Sequence, residues 1–467
     1  LAMFSLIFSL MVLLAGLGLS FYYEELPVPE PLLQVINDHF KNEGLDLEFE
    51  KITLDFSGNV LIQDARVSFT EHPAPALEVE LLYLDINYAS IVLAKAPFDL
   101  LRLGNACLYS PAIVSLSGTN ERLVNNVNLE VTRQWSDWKL TYLTAKFQNL
   151  DISAMGDLST LVAEIIKLRK KKEERPELYL QYLQLTRMLS DFSINLQWIE
   201  APKIELHFSS PSKSSFAVKA QTQADSFSYD GSPKIQNLRN QVTLQILPEV
   251  QLKEPLRLRA DLVKDESLIL SVSNIALLAW TDNKIKNLES CYPFEAEVTT
   301  GTIDIQGNSV DQLVFKGQIL NQEEARGRLT ASLYGEAIQA DLHGNWKDQT
   351  AEGTLQGALN IEGIIARPDF DHLWKLRWSK QNKPLYIDLD FNYPGNLEEL
   401  TASFRVETRD IEIIKTPFKW ARVRGTLNGT KANITQLLGG GYGNDLQCTF
   451  LKDLKNPFYR FTMVGRF

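Results

Sequence analysis

Residues 329–346, LTASLYGEAIQADLHGNW, carry the pattern that decides the fold. Leu329, Ala331 and Leu333 alternate with other residues, and so do Ala340, Leu342, Gly344 and Trp346. A period of two places successive side chains on opposite faces of an extended strand, here one apolar face and one polar face. The same alternation continues outward. Leu313-x-Phe315-x-Gly317-x-Ile319 precedes it, and Leu355-x-Gly357-x-Leu359-x-Ile361-x-Gly363, Ile387-x-Leu389-x-Phe391-x-Tyr393 and Phe404-x-Val406 follow. Turns recur at about ten-residue intervals, the rhythm of an antiparallel meander.

Nearer the N-terminus the period is again two. Leu47-x-Phe49 and Ile52-x-Leu54-x-Phe56 lead into the turn Ser57-Gly58-Asn59. Leu61-x-x-x-Ala65-x-Val67-x-Phe69 follows, His72-Pro73-Ala74-Pro75 breaks the run, and Leu82-x-Leu84-x-Ile86-x-Tyr88 resumes it. These read as half-buried strands joined by short turns. Residues 157–200 depart from the pattern. Leu158, Leu161, Val162, Ile165 and Ile166 fall at helical spacing, as do Leu178, Tyr179, Tyr182, Leu183, Thr186 and Leu189, and Pro176 suits the first turn of the second helix. The run from Lys167 to Arg175 between them reads as a solvated helix end, with contact to anionic headgroups as its functional alternative.

The first twenty-three residues, LAMFSLIFSLMVLLAGLGLSFYY, are uncharged and apolar. A helix of about 20 residues spans a bilayer core, whereas a signal peptide has an apolar region of about 7–15. Phe21-Tyr22-Tyr23 supplies an aromatic belt, so an uncleaved single-pass anchor is expected. Glu24 and Glu25 follow with no positive charge, which places the bulk of the chain outside the cytoplasm. Pro27-Val28-Pro29-Glu30-Pro31 is a stiff spacer, and Leu32, Leu33, Ile36 and Phe40 then form a short amphipathic helix closed by Gly44. The expected organisation is an anchor at 1–23, spacer and capping helix at 24–44, an N-terminal β-groove segment at 45–156, a two-helix insertion at 157–200 and a C-terminal β-groove segment at 201–467.

With 467 residues, 45% hydrophobic, the chain is long enough for a packed core. Its net charge of −11 argues against a nucleic-acid partner, which needs a basic surface. Cys107, Cys291 and Cys448 are too widely spaced for a disulfide framework or a CxxC metal site. The five histidines show no H-x-x-x-H or H-E-x-x-H spacing, and Asp369-Phe370-Asp371-His372 reads as a turn or helix cap. Gly439-Gly440-Gly441-Tyr442-Gly443 reads as a turn or bulge, because no Lys-Ser or Lys-Thr follows. No G-x-S-x-G elbow is present. The expectation is a non-enzymatic protein with no catalytic residue, metal or cofactor.

An amphipathic sheet must bury its apolar face. Two helices cover too little of a sheet this long, so it closes on itself or curls into a trough that meets an apolar ligand. Glycines among the apolar positions, Gly317, Gly344, Gly357 and Gly363, favour the curled form with interior space. The expected fold class is mainly β: an N-terminal transmembrane helix, then an elongated, curled antiparallel sheet with a two-helix insertion. Candidate groove-lining residues are Leu54, Phe56, Leu84, Ile86, Phe315, Leu333, Leu342, Leu359, Leu389 and Phe391.

Ile52-Thr53-Leu54-Asp55-Phe56-Ser57-Gly58-Asn59-Val60-Leu61-Ile62-Gln63-Asp64-Ala65-Arg66-Val67 resembles the opening of the AsmA-like family. The stretch from Leu82 to Val114 is similar to that family's N-terminal block, and Gly425-Thr426-Leu427-Asn428-Gly429 followed by Ile434-x-x-Leu437-Leu438-Gly439-Gly440-Gly441 is similar to its C-terminal end. The resemblance implies a single-pass inner-membrane protein whose periplasmic β-groove shelters phospholipid acyl chains and supports outer-membrane biogenesis. Its implied partners are phospholipid acyl chains, the membrane bilayer and envelope proteins. The other reading is a membrane-tethered β-scaffold with a packed core that recruits envelope partners without moving lipid.

Overall fold

A computed structural model describes the chain from Leu26 to Arg466 except residues 29, 43, 55–58, 71, 87–97, 116, 136, 171–177, 229–233, 264–269, 288, 306–307, 334, 360–376, 379–382, 397, 414–415, 430 and 454–458. The expected anchor, 1–23, Phe56, Gly363 and the Asp369–His372 cluster lie outside the described residues. Among the described residues no helix is long and apolar enough to cross a membrane. The molecule is mainly β and divides into two compact units. Unit 1 comprises residues 1–227 and 243–249, and unit 2 comprises 228–242 and 250–467.

Unit 1 begins with β1 (Leu26–Pro27), α1 (Glu30–Asn42), β2 (Leu45–Glu48), β3 (Lys51–Leu54) and β4 (Val60–Phe69). It continues through β5 (His72–Ile86), β6 (Phe98–Ser110), β7 (Glu121–Gln134), β8 (Asp137–Phe147) and β9 (Leu150–Asp157). The helical insertion follows as α2 (Ser159–Lys170) and α3 (Leu178–Leu196), then β10 (Ile199–Glu200), β11 (Lys203–Ser212) and β12 (Ser215–Phe227). Successive strands from β3 to β9 pair antiparallel, as the alternation predicts. The pairing of β9 with β11 is parallel, Ile152 facing Ile204 and Ala154 facing Leu206. Parallel neighbours need a crossover connection, and α2 with α3 supplies it. The insertion is therefore part of the sheet's topology, and the division between compact units falls further on, after Phe227.

α3 seats small and aromatic side chains on unit 1, and Thr160 of α2 is buried as well. Thr186 and Ser193 of α3 are buried, the Thr186 hydroxyl donates back to the Tyr182 carbonyl, and the Tyr182 hydroxyl donates to the Tyr109 carbonyl at 2.6 Å. Burial raises the Tyr182 pKa far above the ordinary phenol value. Tyr179 meets Phe69 edge-on and stacks on His72. At the other end of α3, Leu196 packs with Leu123, Phe147 and Leu150 in a buried cluster. The predicted face Tyr179, Tyr182, Leu183, Thr186 and Leu189 is the one α3 turns inward.

Unit 2 takes part of β13 (Ile235–Leu247) and continues through β14 (Gln251–Leu262), β15 (Leu270–Trp280), β16 (Phe294–Thr299), β17 (Thr302–Ile305), β18 (Asn308–Ile319) and β19 (Glu324–Leu333). Then come β20 (Glu336–Asn345), β21 (Thr350–Leu359), β22 (Arg377–Trp378), β23 (Leu385–Tyr393), β24 (Thr401–Ile413), β25 (Thr416–Asn428), β26 (Lys431–Gly441), β27 (Asn444–Asp453) and β28 (Tyr459–Arg466). The described pairings in unit 2 are antiparallel, and β18 to β21 form an unbroken series of neighbours. The one helical element among its described residues is the single turn Glu289–Cys291.

The registers depart from strict alternation at left-handed residues. Asp64, Asn105 and Asn126 all have φ near +51°. Asn105 and Asn126 sit where the β6–β7 register shifts, whereas at Asp64 the pairing keeps its register and yet Ile62 and Ala65, three residues apart, join one buried cluster. Leu61 is thereby turned to the face opposite Ala65, which corrects the expectation that they share one. At Asn105 and Asn126 the shift is a β-bulge, which inserts one residue and inverts the phase of everything after it.

Candidate apolar binding face

The register assembles side chains into rows that cross each sheet. In unit 1 one row runs Ile62, Leu82, Leu103, Leu129, Leu143, Ala154, Leu206, Ala220, one residue from each of eight neighbouring strands. At about 4.8 Å per strand its contour is about 34 Å. In unit 2 a row runs Leu258, Leu277, Val298, Phe315, Leu329, Ala340, Leu355, Leu389, Phe404, Gly425, Ile434. Its eleven strands give a contour of about 48 Å. A second row beside it runs Ala296, Gly317, Gly327, Leu342, Gly353, Phe391, Ala402, Leu427.

Between the row ends these residues have paired neighbours on both sides, positions that a second packed layer would bury completely. The large ones are not. Leu82, Leu103, Leu129, Leu143 and Leu206 are half-buried, and so are Leu258, Leu277, Phe315, Leu329, Leu355, Leu389 and Phe404. Full burial on these rows is confined to Ile62 and the small residues Ala154, Ala296, Ala340 and Gly425. The first strands of unit 1 are better covered: Val28, Ile52, Val60, Ile62, Ala65, Val79 and Ala106 form a buried cluster, with Leu33 of α1 packed against it.

The opposite faces are charge ladders. In unit 2 Glu297, Lys316, Arg328 and Asp341 stand in one row; Lys316 pairs with Glu297 at 3.1 Å and Arg328 with Asp341 at 2.7 Å. His343 lies between Glu352, at 3.2 Å from its Nδ1, and Glu324, on its Nε2. Those two hydrogen bonds, Glu352 first, raise the His343 pKa above the ordinary imidazole value, and His343 in turn holds Glu324 below the usual carboxylate range. Glu407 accepts from Arg405 and Arg422, and its pKa is lowered, chiefly by the Arg405 hydrogen bond. In unit 1 Arg102 pairs with Glu130 at 2.7 Å. Water solvates these faces, which leaves the other faces to meet anything apolar.

The left-handed residues form seams with a shared plan. In unit 1 Asn105 donates its side-chain amide to Glu80 on β5 at 2.7 Å and its backbone N–H to Asn128 on β7 at 3.1 Å. In unit 2 Asp261 of β14 accepts from the Asn237 amide at 2.8 Å and the Asn274 backbone N–H at 2.7 Å. Asn237 and Asn274 again have positive φ. The two hydrogen bonds lower the Asp261 pKa, the Asn237 contact contributing most. In unit 2 an acid on the middle strand ties left-handed asparagines on both flanks, and in unit 1 the left-handed Asn105 on the middle strand ties Glu80 and Asn128 on its flanks.

The sequence-derived lining residues divide between the units. Leu54 faces Val60, which faces Leu84, so these two share a row in unit 1. Ile86 pairs with Phe98 at the end of β5. Phe315 and Leu389 share the long row of unit 2, and Leu342 and Phe391 share the row beside it. Leu333 faces Val310, and Leu359 faces Leu385. Sequence reasoning missed Leu103, Leu129, Leu143 and Leu206 of unit 1 and Leu258, Leu277 and Val298 of unit 2. Alternation at Val127-x-Leu129-x-Val131 and Leu256-x-Leu258-x-Ala260 is the signal that marks them.

The glycines hold less free space than their sequence positions suggest. The Phe315 ring lies over Gly317 and Gly327, where an added Cβ would come within 2.7 Å of its Cζ. At Gly357 a Cβ would meet the Ala337 carbonyl at 2.7 Å. Gly344 alone of the described three expected to open space has room, its nearest neighbour at 3.5 Å. Among the described residues no cluster of His, Cys, Asp or Glu comes together to hold a metal ion. No family model, curated protein or solved structure matches this chain.

Proposed function

We propose that the protein is a membrane-anchored lipid-binding or lipid-transfer protein of the AsmA-like type, sheltering phospholipid acyl chains on the apolar faces of its sheets on the periplasmic side of an inner membrane. The observation that supports this most is the half-exposure of leucine and phenylalanine rows in mid-sheet. Taking an acyl chain through water costs about 0.8 kcal/mol per CH₂, roughly a dozen kcal/mol for a chain of about sixteen carbons. A leucine-rich floor returns most of that, so a chain leaving a bilayer for such a face exchanges one hydrocarbon environment for another. The polar ladders on the reverse faces keep each sheet wetted on one side only.

The test is native mass spectrometry of the full chain extracted in detergent, with photocrosslinking to a diazirine-labelled phospholipid. Retained phospholipid and crosslinks at Leu355 and Leu389 are the expected result. Leu355→Asp and Leu389→Asp are expected to remove crosslinking while leaving the melting transition in place, because water reaches a half-exposed position. Repeated absence of lipid, with both aspartates unfolding the protein, points instead to the packed scaffold, where burying an unpaired carboxylate costs several kcal/mol.

A further inference from the structure

Trp135 is 95% exposed, the most exposed of the large apolar side chains on the described surface. It occupies the turn between β7 and β8, closed by the Gln134–Asp137 pair. Two-residue hairpin loops favour turns with positive φ, positions that asparagine and glycine fill at little strain. Here the residue at φ 61° is tryptophan. A bulky side chain in that region is an outlier that persists only where the surroundings hold it, and such outliers gather at working sites. Arg133 braces it from behind: its Nε donates to the Trp135 carbonyl at 3.0 Å, and its guanidinium lies 5.6 Å from the ring centroid of Trp138. The indole is thus presented to solvent on a strained turn fixed by its own hairpin.

The strand register shows which rim of unit 1 this is. Leu26 faces Leu54, and the row continues through Val60, Leu84 and Leu101 to Val131 on β7. Trp135 lies four residues beyond Val131, about 13 Å further along the strand direction. Pro27 faces Thr53, so the chain enters β1 from the Leu54 end of β3, the end toward which β7 runs. The uncharged run 1–23 stops three residues before Leu26. Leu26, where the described chain begins, and the exposed indole therefore belong to one rim, their strands about 24 Å apart across five steps.

We propose that the β7–β8 turn is a second membrane contact, with Trp135 seated in the headgroup layer of the same bilayer that takes residues 1–23. Indoles favour that layer because the ring is apolar and its N–H still finds a partner there. Two contacts on one rim fix the tilt of unit 1, where a single helix would leave it free to swing. The inference rests on reading 1–23 as a membrane anchor and not on the lipid-binding faces.

The test uses the full chain reconstituted in dioleoylphosphatidylcholine vesicles, isolated by flotation, with ordinary or brominated acyl chains. Bromine quenches indoles that reach the upper acyl region. One of the chain's eight tryptophans, about one-eighth of the emission, is expected to be quenched in the wild type and to vanish from the quenched fraction in Trp135→Phe. An unchanged quenched fraction in Trp135→Phe, in protein that floats, overturns the docking of this rim. Failure to float overturns the docking and the anchor together. Quenching at Trp135 in protein that retains no lipid on its apolar faces supports the docking while removing the proposed function.

Discussion

The ring of Phe315 lies across Gly327 on the neighbouring strand, so close that a Cβ there would stand 2.7 Å from Phe315 Cζ. The aromatic side chain takes the place of the one the glycine lacks, which lets a large ring lie flat on the sheet. Gly425 under Phe404 and Gly439 under Phe418 repeat the arrangement.

Gly327→Ala is therefore expected to destabilise unit 2 by about 1–3 kcal/mol, since the new methyl also meets the Lys316 carbonyl and Gly317 Cα. Gly344→Ala, one strand away with its nearest neighbour at 3.5 Å, is expected to stay within about 0.5 kcal/mol of wild type. Urea unfolding of the two variants side by side checks this. Equal effects would show that the ring does not pin the glycine.

Asp261→Ala is expected to cost about 1 kcal/mol, because two donors, the Asn237 amide and the Asn274 N–H, lose a charged acceptor. The Asp261 pKa is depressed in the folded state, so its contribution is present above the ordinary value of about 3.9 and is lost as pH falls through the folded value. Thermal melts of wild type and variant at about pH 6 and about pH 3 should differ by less at the lower pH. A difference that grows on acidification would contradict the hydrogen-bonding role.

His343 has the opposite sign. Glu352 and Glu324 raise its folded pKa, so the stabilisation is complete below the ordinary value of about 6.5 and fades as pH rises through the folded value. His343→Gln is expected to lower stability at about pH 5.5 and to match wild type at about pH 9. The site is exposed enough for salt to shrink the effect, and a denaturation series at both pH values with added sodium chloride measures it.

Trp135→Gly removes the left-handed strain of the turn. The variant is expected to be neutral or more stable by up to about 1 kcal/mol, since an L side chain in that region costs about 1–2 and glycine returns part of the gain as backbone entropy. Differential scanning calorimetry decides it. A clear loss of stability would mean that the indole packs within unit 1, contrary to its exposure.

The AsmA-like reading entered through hydrophobic spacing and glycine at the two ends of the chain, and most strands were legible the same way. Alternation at Leu329-x-Ala331-x-Leu333 needs only the pleat of a strand to be understood, because side-chain direction is a local property. The first insertion helix announces itself through Leu158, Leu161, Val162, Ile165 and Ile166, and the second through Tyr179, Tyr182, Thr186 and Pro176, for the same local reason. The rows could not be read in this way. Whether Leu329 stands beside Phe315 depends on register, and register depends on bulges at residues such as Asn105, Asn126 and Asn274, whose positive φ no period reveals. Leu61 shows a related effect, since with Asp64 left-handed it is Ile62, and not Leu61, that shares the buried cluster with Ala65. The parallel pairing of β9 with β11 likewise exists only once the helices have carried the chain back. The sequence by itself determined strands, helices and which residues are apolar, because these follow from neighbours along the chain. Only the tertiary structure decided which of them line up across the sheets, because that alignment is set by backbone hydrogen bonds between segments distant in sequence.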